Sequence, residues 1–184
     1  MKIIVTGGAG FIGSAVIRML IKDTSHKVLN IDKLTYAGNL DSLKDIDFND
    51  RYSFMEQDIT NLDKIFSIFN EFKPDAVMHL AAESHVDRSI DGPSDFINTN
   101  IIGTFTILEA SRKYDVKALV NITSDKAYEN QEWIWGYREN DPLGGYDPYS
   151  SSKGCADLLA NSYRNSYFNI KDYTNIKKIK KSSD

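Results

Sequence analysis

The stretch Thr6-Gly7-Gly8-Ala9-Gly10-Phe11-Ile12-Gly13-Ser14 decides the fold of this chain. Before it runs Ile3-Ile4-Val5, short, β-branched and apolar, which reads as a buried strand. After it, Ala15-Val16-Ile17-Arg18-Met19-Leu20 carries apolar residues at helical spacing. The glycines therefore sit on a strand-to-helix turn. Gly8, Gly10 and Gly13 fit G-x-G-x-x-G, and Gly7, Gly10 and Gly13 fit G-x-x-G-x-x-G. Glycines so placed allow a tight turn, close backbone approach to a pyrophosphate, and close packing of helix on strand. The free N–H groups of the helix N-terminus then face the phosphates, with the helix dipole assisting.

Glycine spacing alone also describes an ordinary tight βα turn, and Asp32 separates the two readings. It ends the next apolar run, Lys27-Val28-Leu29-Asn30-Ile31. It follows the glycines by about 20 residues, where a carboxylate accepts hydrogen bonds from an adenosine ribose. An acid there repels the 2′-phosphate of NADP and so favours NAD; Lys33 beside it softens that preference without reversing it. The stretch is a dinucleotide site.

Working outward, a polar loop from Lys33 to Asn39 lies where the adenosine end of a cofactor belongs, and a short helix is expected over 40–45. Residues 52–57 read as a third strand ending at Asp58-Ile59, and 61–72 as a helix with Asn61 or Thr60 as N-cap. Residues 76–80 form a fourth strand opening into Ala81-Ala82-Glu83-Ser84-His85. Pro93 starts a long helix through Ala110, and 116–122 is a fifth strand closing on Thr123-Ser124-Asp125-Lys126. The stretch 132–148 holds both tryptophans and reads as a loop too long to be a mere connection. A helix over 149–165 turns Leu158, Leu159 and Tyr163 inward. Strands alternating with helices predict an α/β fold, a Rossmann-like doubly wound parallel sheet with helices on both faces. The ligand belongs at the carboxyl ends of the strands, where all these segments converge.

At 184 residues the chain suffices for one domain with a real core. A hydrophobic content of 41% and a charged content of 26% are ordinary for a soluble globular protein. The net charge of −4 argues against non-specific nucleic-acid binding. A single cysteine, Cys155, fits a reducing cytoplasm, and no apolar run approaches the roughly 18 residues of a membrane span. The histidines and the cysteine show no metal-ligand spacing. Residues 1–170 are read as the NAD-binding domain, and the basic residues 171–184 as a disordered tail.

Tyr149 and Lys153 stand at i and i+4 on one helix face. A nearby cation favours the phenolate, which makes the tyrosine a candidate general base. Alone, this spacing also describes a surface pair on an amphipathic helix. Behind a dinucleotide fold, with Thr123-Ser124-Asp125 closing strand five, it points to hydride chemistry at an alcohol carbon.

With these motifs the chain resembles the extended short-chain dehydrogenase/reductases, and within them the nucleotide-sugar 4,6-dehydratases. Thr6–Ser14, Asp32–Asn39 and His79–Ser89 look like the dTDP-glucose 4,6-dehydratases. Asn121–Lys126, Trp133–Asn140 and Gly144–Tyr149 are similar to the CDP-glucose 4,6-dehydratases, with a seam between Thr99 and Lys117. The resemblance implies a tightly held NAD and one overall dehydration to a 4-keto-6-deoxy sugar. It implies that Tyr149 takes the C4 hydroxyl proton as hydride leaves C4, that water is lost across C5–C6, and that hydride returns to C6. It further implies that Lys153 holds the nicotinamide ribose, Ser124 hydrogen-bonds the C4 oxygen, and Asp125 protonates the departing C6 hydroxyl. Lys126 stands where the dTDP-type enzymes carry a glutamate as C5 base; a lysine there is the CDP-type pattern. By position the cofactor contacts are Gly7, Gly10, Phe11, Ile12, Gly13, Asp32, Lys33, Leu34, Thr35, Asp58, Ile59, Leu80, Ala81, Ala82, Glu83, Ser84 and Thr99, with Tyr149 and Lys153; Ser84 and Ser124 face the substrate.

These families continue well beyond the present length, so the C-terminal strands and the substrate domain are expected to be missing. Strand five then becomes an exposed apolar edge. The resemblance also implies a homodimer through helices 93–113 and 149–165. A catalytically silent NAD-binding fragment is the alternative to a working dehydratase.

Overall fold

The computed structural model describes residues 1–168. Its strands are β1 (Lys2–Thr6), β2 (Lys27–Asp32), β3 (Tyr52–Glu56), β4 (Ala76–His79) and β5 (Ala118–Asn121). All pair in parallel, in the order β3-β2-β1-β4-β5. The helices are α1 (Phe11–Asp23), α2 (Leu62–Phe72), α3 (Val86–Asp91), α4 (Pro93–Phe96), α5 (Thr104–Lys113) and α6 (Pro148–Ser166). A 3₁₀ turn covers Leu40–Ile46, as expected for a short helix there.

Alternate residues of each strand feed two cores. Ile4, Leu29, Ile31 and Val77 pack on Ile65, Ile68 and Phe69 of α2 and on Ile107 and Ala110 of α5. Ile3, Val5 and Val28 face the other way, onto Ile17, Leu20 and Ile21 of α1. Burial on both faces is why β1 reads as an unbroken apolar run. Each fully buried side chain such as Ile4 or Ile17 contributes roughly 1.5–3 kcal/mol. Asn61 caps α2 by accepting from the Lys64 N–H, and Lys73 ends the helix in the left-handed region at φ 51°.

Two expectations are corrected, and one element was not anticipated. The helix expected from Pro93 to Ala110 is not uniform: α4 passes into a π-helical turn, Ile97–Gly103, before α5. The wider turn brings Asn100 inward, onto partners that sequence periodicity cannot anticipate. Residues Val86–Asp91 form α3, which no apolar period announces. On α6, Leu158 is exposed, because the buried stripe runs through Ser152, Lys153, Ala156 and Tyr163 instead. The edge position of β5 is as expected. Its Val120 is 48% exposed.

The long loop before α6 folds back on itself. Tyr128 bridges Leu143, Tyr128 stacks on Tyr137, and Trp133 stacks on Trp135. The Gly144 N–H donates to the Ala127 carbonyl at 2.9 Å, which seats the loop on the turn Asp125–Ala127. The basic tail expected over 171–184 lies outside the described residues.

Candidate functional site

The sheet brings the predicted loops together at its carboxyl end. Gly7, Gly10, Asp32, Lys33, Thr35, Asp58, Ile59, Leu80, Ala81, Ala82, Glu83 and Thr99 line one cleft. Ile31, Ala37, Gly38 and Gln57 line it too and were not anticipated; Gly38 and Ala37 lay in the loop marked for adenosine, and the other two carry no separate signal.

Two glycines make the turn possible. Gly7 has φ +70°, and a Cβ there would lie 2.6 Å from the Ala81 nitrogen. A Cβ on Gly13 would collide with the Gly7 carbonyl, so α1 can start hard against the turn only with glycine at that position. Helix α1 has no side-chain cap and no acidic residue in its first turn. Its leading N–H groups are thereby left for an anion.

Asp32 organises the adenosine side. Its Oδ2 accepts from the Ala9 N–H and its Oδ1 from the Leu34 N–H, both at 2.9 Å. The carboxylate thus ties the glycine turn to the loop after β2. Leu34 itself takes φ 53° to make this bend. Lys33 pairs with Asp58 at 2.6 Å. That bond raises the ammonium pKa. Burial pushes the Asp58 carboxyl up, but the Lys33 ion pair and the Thr60 N–H and hydroxyl outweigh it and hold the group low. Across the cleft, Glu83 is buried with Oε2 unpartnered, and burial raises its pKa. Arg88 lies 3.7 Å over the Tyr36 ring, and the Tyr36 hydroxyl donates to the Ser84 carbonyl at 3.3 Å.

His79, the last residue of β4, is a buried core residue. It is hydrogen-bonded to Thr6 Oγ1 at 2.6 Å and Thr104 Oγ1 at 3.2 Å. Burial, helped by the Lys153 charge, drives its pKa down to about 3.

The predicted chemical residues sit on α6 and on the turn after β5. Tyr149 lies in the first turn of α6, its ring edge-on to Phe96 at 6.2 Å. Asp147 caps that helix by accepting from the Ser150 N–H. Lys153 is only 7% exposed, and its Nζ donates to the Ile122 carbonyl at 2.9 Å. Burial lowers its pKa, opposed by Asp157. Ser124 donates to Asp125 Oδ1 at 3.1 Å and accepts from the Lys126 N–H at 3.2 Å. Asp125 and Lys126 are exposed, and α6 packs directly on their turn.

Phe11, Ile12, Gly13, Leu34, Ser84, Tyr149 and Lys153 do not line the cleft. Phe11 stands exposed at the head of α1, and Ser84 bonds His85 Nδ1 at 3.1 Å. One buried side chain joins cleft to α6: Asn100. Its Oδ1 accepts from the Glu83 N–H at 2.9 Å, and its Nδ2 donates to the Glu83 carbonyl at 3.0 Å and to Ser152 Oγ at 2.8 Å. Among the described residues no three His, Cys, Asp or Glu side chains are gathered to hold a metal ion. No described helix is long and apolar enough to cross a membrane.

A parallel sheet in this order, with a glycine turn after β1 and an acid ending β2, defines a Rossmann-type α/β protein. Residues 4–176 match the family described as GDP-mannose 4,6 dehydratase, and the chain belongs to it. It is 49% identical to the dTDP-glucose 4,6-dehydratase of Salmonella typhimurium, over 91% of this chain and 51% of that protein. It is 46% identical to the one from Neisseria gonorrhoeae, over 90% of this chain and 51% of that protein. Among solved structures, the dTDP-glucose 4,6-dehydratase DesIV of Streptomyces venezuelae, crystallised with NAD, superposes with a TM-score of 0.85. It is 38% identical, over 91% of this chain and 52% of that one. The UDP-glucose 4-epimerase of Thermotoga maritima superposes with a TM-score of 0.81 at 32% identity, over 91% of this chain and 52% of that one. The chain spans about half the length of the curated relatives it matches.

Proposed function

We propose that this chain carries the NAD-binding and proton-transferring half of a dTDP-glucose 4,6-dehydratase, working in the cytoplasm. The observation that carries the reading is the seating of α6, with Tyr149 and buried Lys153, on the turn that holds Ser124, Asp125 and Lys126. The cleft suits the cofactor: Asp32 offers acceptors to ribose hydroxyls, and the uncapped start of α1 offers N–H groups to a diphosphate. Lys33, Leu34, Thr35, Asp58, Ile59, the wall from Leu80 to Ser84, and Thr99 would hold the rest of NAD. Bound NAD supplies a two-electron acceptor that later gives the electrons back. Tyr149 takes the proton of the C4 hydroxyl while Ser124 holds that oxygen. Once C4 is a ketone, Lys126 removes the acidified C5 proton and Asp125 protonates the departing C6 hydroxyl. Lys153, whose Nζ lies against the Ile122 carbonyl just beyond β5, would hold the nicotinamide ribose and, as a cation, favour the Tyr149 phenolate.

A second reading, CDP-glucose as substrate, is favoured by one observation: residue 126 is lysine, as in the CDP-type motif. The homodimer reading is supported by Ile97, Ile102, Phe105 and Leu158, apolar side chains left exposed on the two helical segments concerned.

The test is anaerobic incubation of the purified chain with NAD⁺ and either dTDP-glucose or CDP-glucose, following the 4-keto-6-deoxy product by its alkaline absorbance. Turnover of one substrate, lost in Tyr149→Phe, establishes the activity and the nucleotide. A folded chain that binds NAD⁺ and turns over neither, with or without the second half of a relative supplied, refutes it in favour of a silent cofactor-binding fragment.

A further inference from the structure

We infer that Tyr36 is a latch across the cofactor cleft, which ties its two lips together and sets how fast a dinucleotide enters and leaves. The inference rests on the cleft being the NAD site and needs no dehydratase activity.

The two lips come from strands on opposite sides of β1. The loop after β2 supplies Thr35 and Ala37 to the cleft, and the loop after β4 supplies Ala82 and Glu83. Two strand spacings put the roots of these loops roughly 10 Å apart. Tyr36 stands between Thr35 and Ala37, and Ser84 follows Glu83, so a bond between them joins lip to lip past the end of β1. The structure has that bond. The Tyr36 hydroxyl donates to the Ser84 carbonyl at 3.3 Å, and His85 Nδ1 lies 3.2 Å from the same hydroxyl. The His85 ring meets the Tyr36 ring edge-on at 6.0 Å, and Arg88, from α3, covers the face of that ring at 3.7 Å. On the far lip, Ser84 Oγ lies 3.1 Å from His85 Nδ1 and fixes the imidazole.

A latch has to open, and these contacts are built for it. Tyr36 is 50% exposed, so its bonds lie at the surface, where local opening is easiest. The base of its loop is held independently. The Leu34 N–H donates to Asp32, the Gly38 N–H to the Thr35 carbonyl at 3.0 Å, and the Asn39 N–H to the Ala9 carbonyl at 2.8 Å. Only the tip depends on Tyr36. Both lips also carry a non-glycine residue in the left-handed region, Leu34 at φ 53° and His85 at φ 80°. Backbone strain of this kind persists where its surroundings hold it, and it gathers at ligand clamps. At His85 the holding contacts are those to Tyr36 and Ser84.

The latch is made of protein groups alone and so forms with or without a ligand. Removing it should therefore speed entry and exit together. Removing a direct contact to the dinucleotide would speed exit only. A reaction that lends two electrons and takes them back gains from a slow exit, which gives the latch its use in the proposed function.

The experiment is stopped-flow binding of NADH to the full chain, with release read on mixing the complex with excess NAD⁺. Tyr36→Phe keeps the ring under Arg88 and removes only the hydroxyl, at an exposed position where such a change leaves the fold intact. Its association and dissociation rates should both rise ten-fold or more, with Kd kept within three-fold. Faster dissociation alone, with affinity lost in proportion, makes Tyr36 a cofactor contact and overturns the latch. Rates unchanged in Tyr36→Phe overturn it as well. A parent chain that binds no NADH overturns the cofactor reading and the latch with it. Turnover of a nucleotide sugar enters none of these outcomes, so a failed latch and a failed dehydratase are told apart.

Discussion

Replacing Asn100 by alanine should loosen the joint between the cofactor cleft and the tyrosine helix. The Asn100 side chain is 1% exposed and satisfies Glu83 twice, once at its N–H and once at its carbonyl, before reaching Ser152 Oγ. Ser152 keeps a second bond, donating to the Tyr149 carbonyl at 2.7 Å, so its loss is partial. Glu83 has no such reserve. Leaving two buried backbone groups unpaired costs about 1–3 kcal/mol each, and water entering the new space recovers part of it, so a net loss of about 3 kcal/mol is expected. With a urea m-value of about 2 kcal/mol per M, the unfolding midpoint should fall by about 1.5 M at unchanged slope. Because Glu83 lines the cleft, NAD⁺ affinity should fall as well, by about ten-fold for 1.4 kcal/mol of lost preorganisation. Asn100→Asp retains the acceptor for the Glu83 N–H but turns a charged oxygen toward the Glu83 carbonyl, so it should be no better than alanine. A midpoint shift worth less than about 0.5 kcal/mol for Asn100→Ala would refute the reasoning, because surface substitutions already reach that size.

Asp32→Ala removes the common acceptor of the Ala9 and Leu34 N–H groups and should weaken NAD⁺ binding by ten-fold or more in isothermal titration. An unchanged affinity would mean the carboxylate only shapes the turn. Gly7→Ala places a Cβ 2.6 Å from the Ala81 nitrogen at φ +70° and should cost about 1–3 kcal/mol in urea unfolding. Tyr149→Phe should reduce kcat by 10² or more while leaving NAD⁺ affinity within two-fold, if the phenol moves a proton as proposed. His79 contributes a pH dependence whose sign follows from its depressed pKa of about 3. Between pH 6.5 and 3 the unfolded chain holds this proton and the folded chain does not, so stability rises with pH across that window, by up to about 1.4 kcal/mol per unit. His79→Asn should flatten that part of the urea-midpoint profile, and a slope unchanged by the substitution would assign it to other groups.

The readable and unreadable parts of this molecule divide by the range of the interactions that set them. The glycine turn, the acid ending β2 and the strand-to-loop transitions at Asp58 and Leu80 are local: each is fixed by dihedral freedom or apolar run length within a few residues. Their convergence then follows from the parallel sheet itself, because every strand delivers its carboxyl end to the same side. Most of the cleft was legible for that reason. Asn100 was not, since its partners Glu83 and Ser152 lie 17 and 52 residues away and a π-helical turn supplies the inward aim. Leu158 misled for a related reason. Helical periodicity marks an apolar stripe, but α6 turns inward the face that carries Ser152 and Lys153, and polar site residues displace leucine from the buried side. The same competition explains why Lys153, formally a surface residue, is buried and bonded to the Ile122 carbonyl. Where sequence pattern and burial disagree on α6, the disagreement itself marks the face on which the proposed chemistry depends.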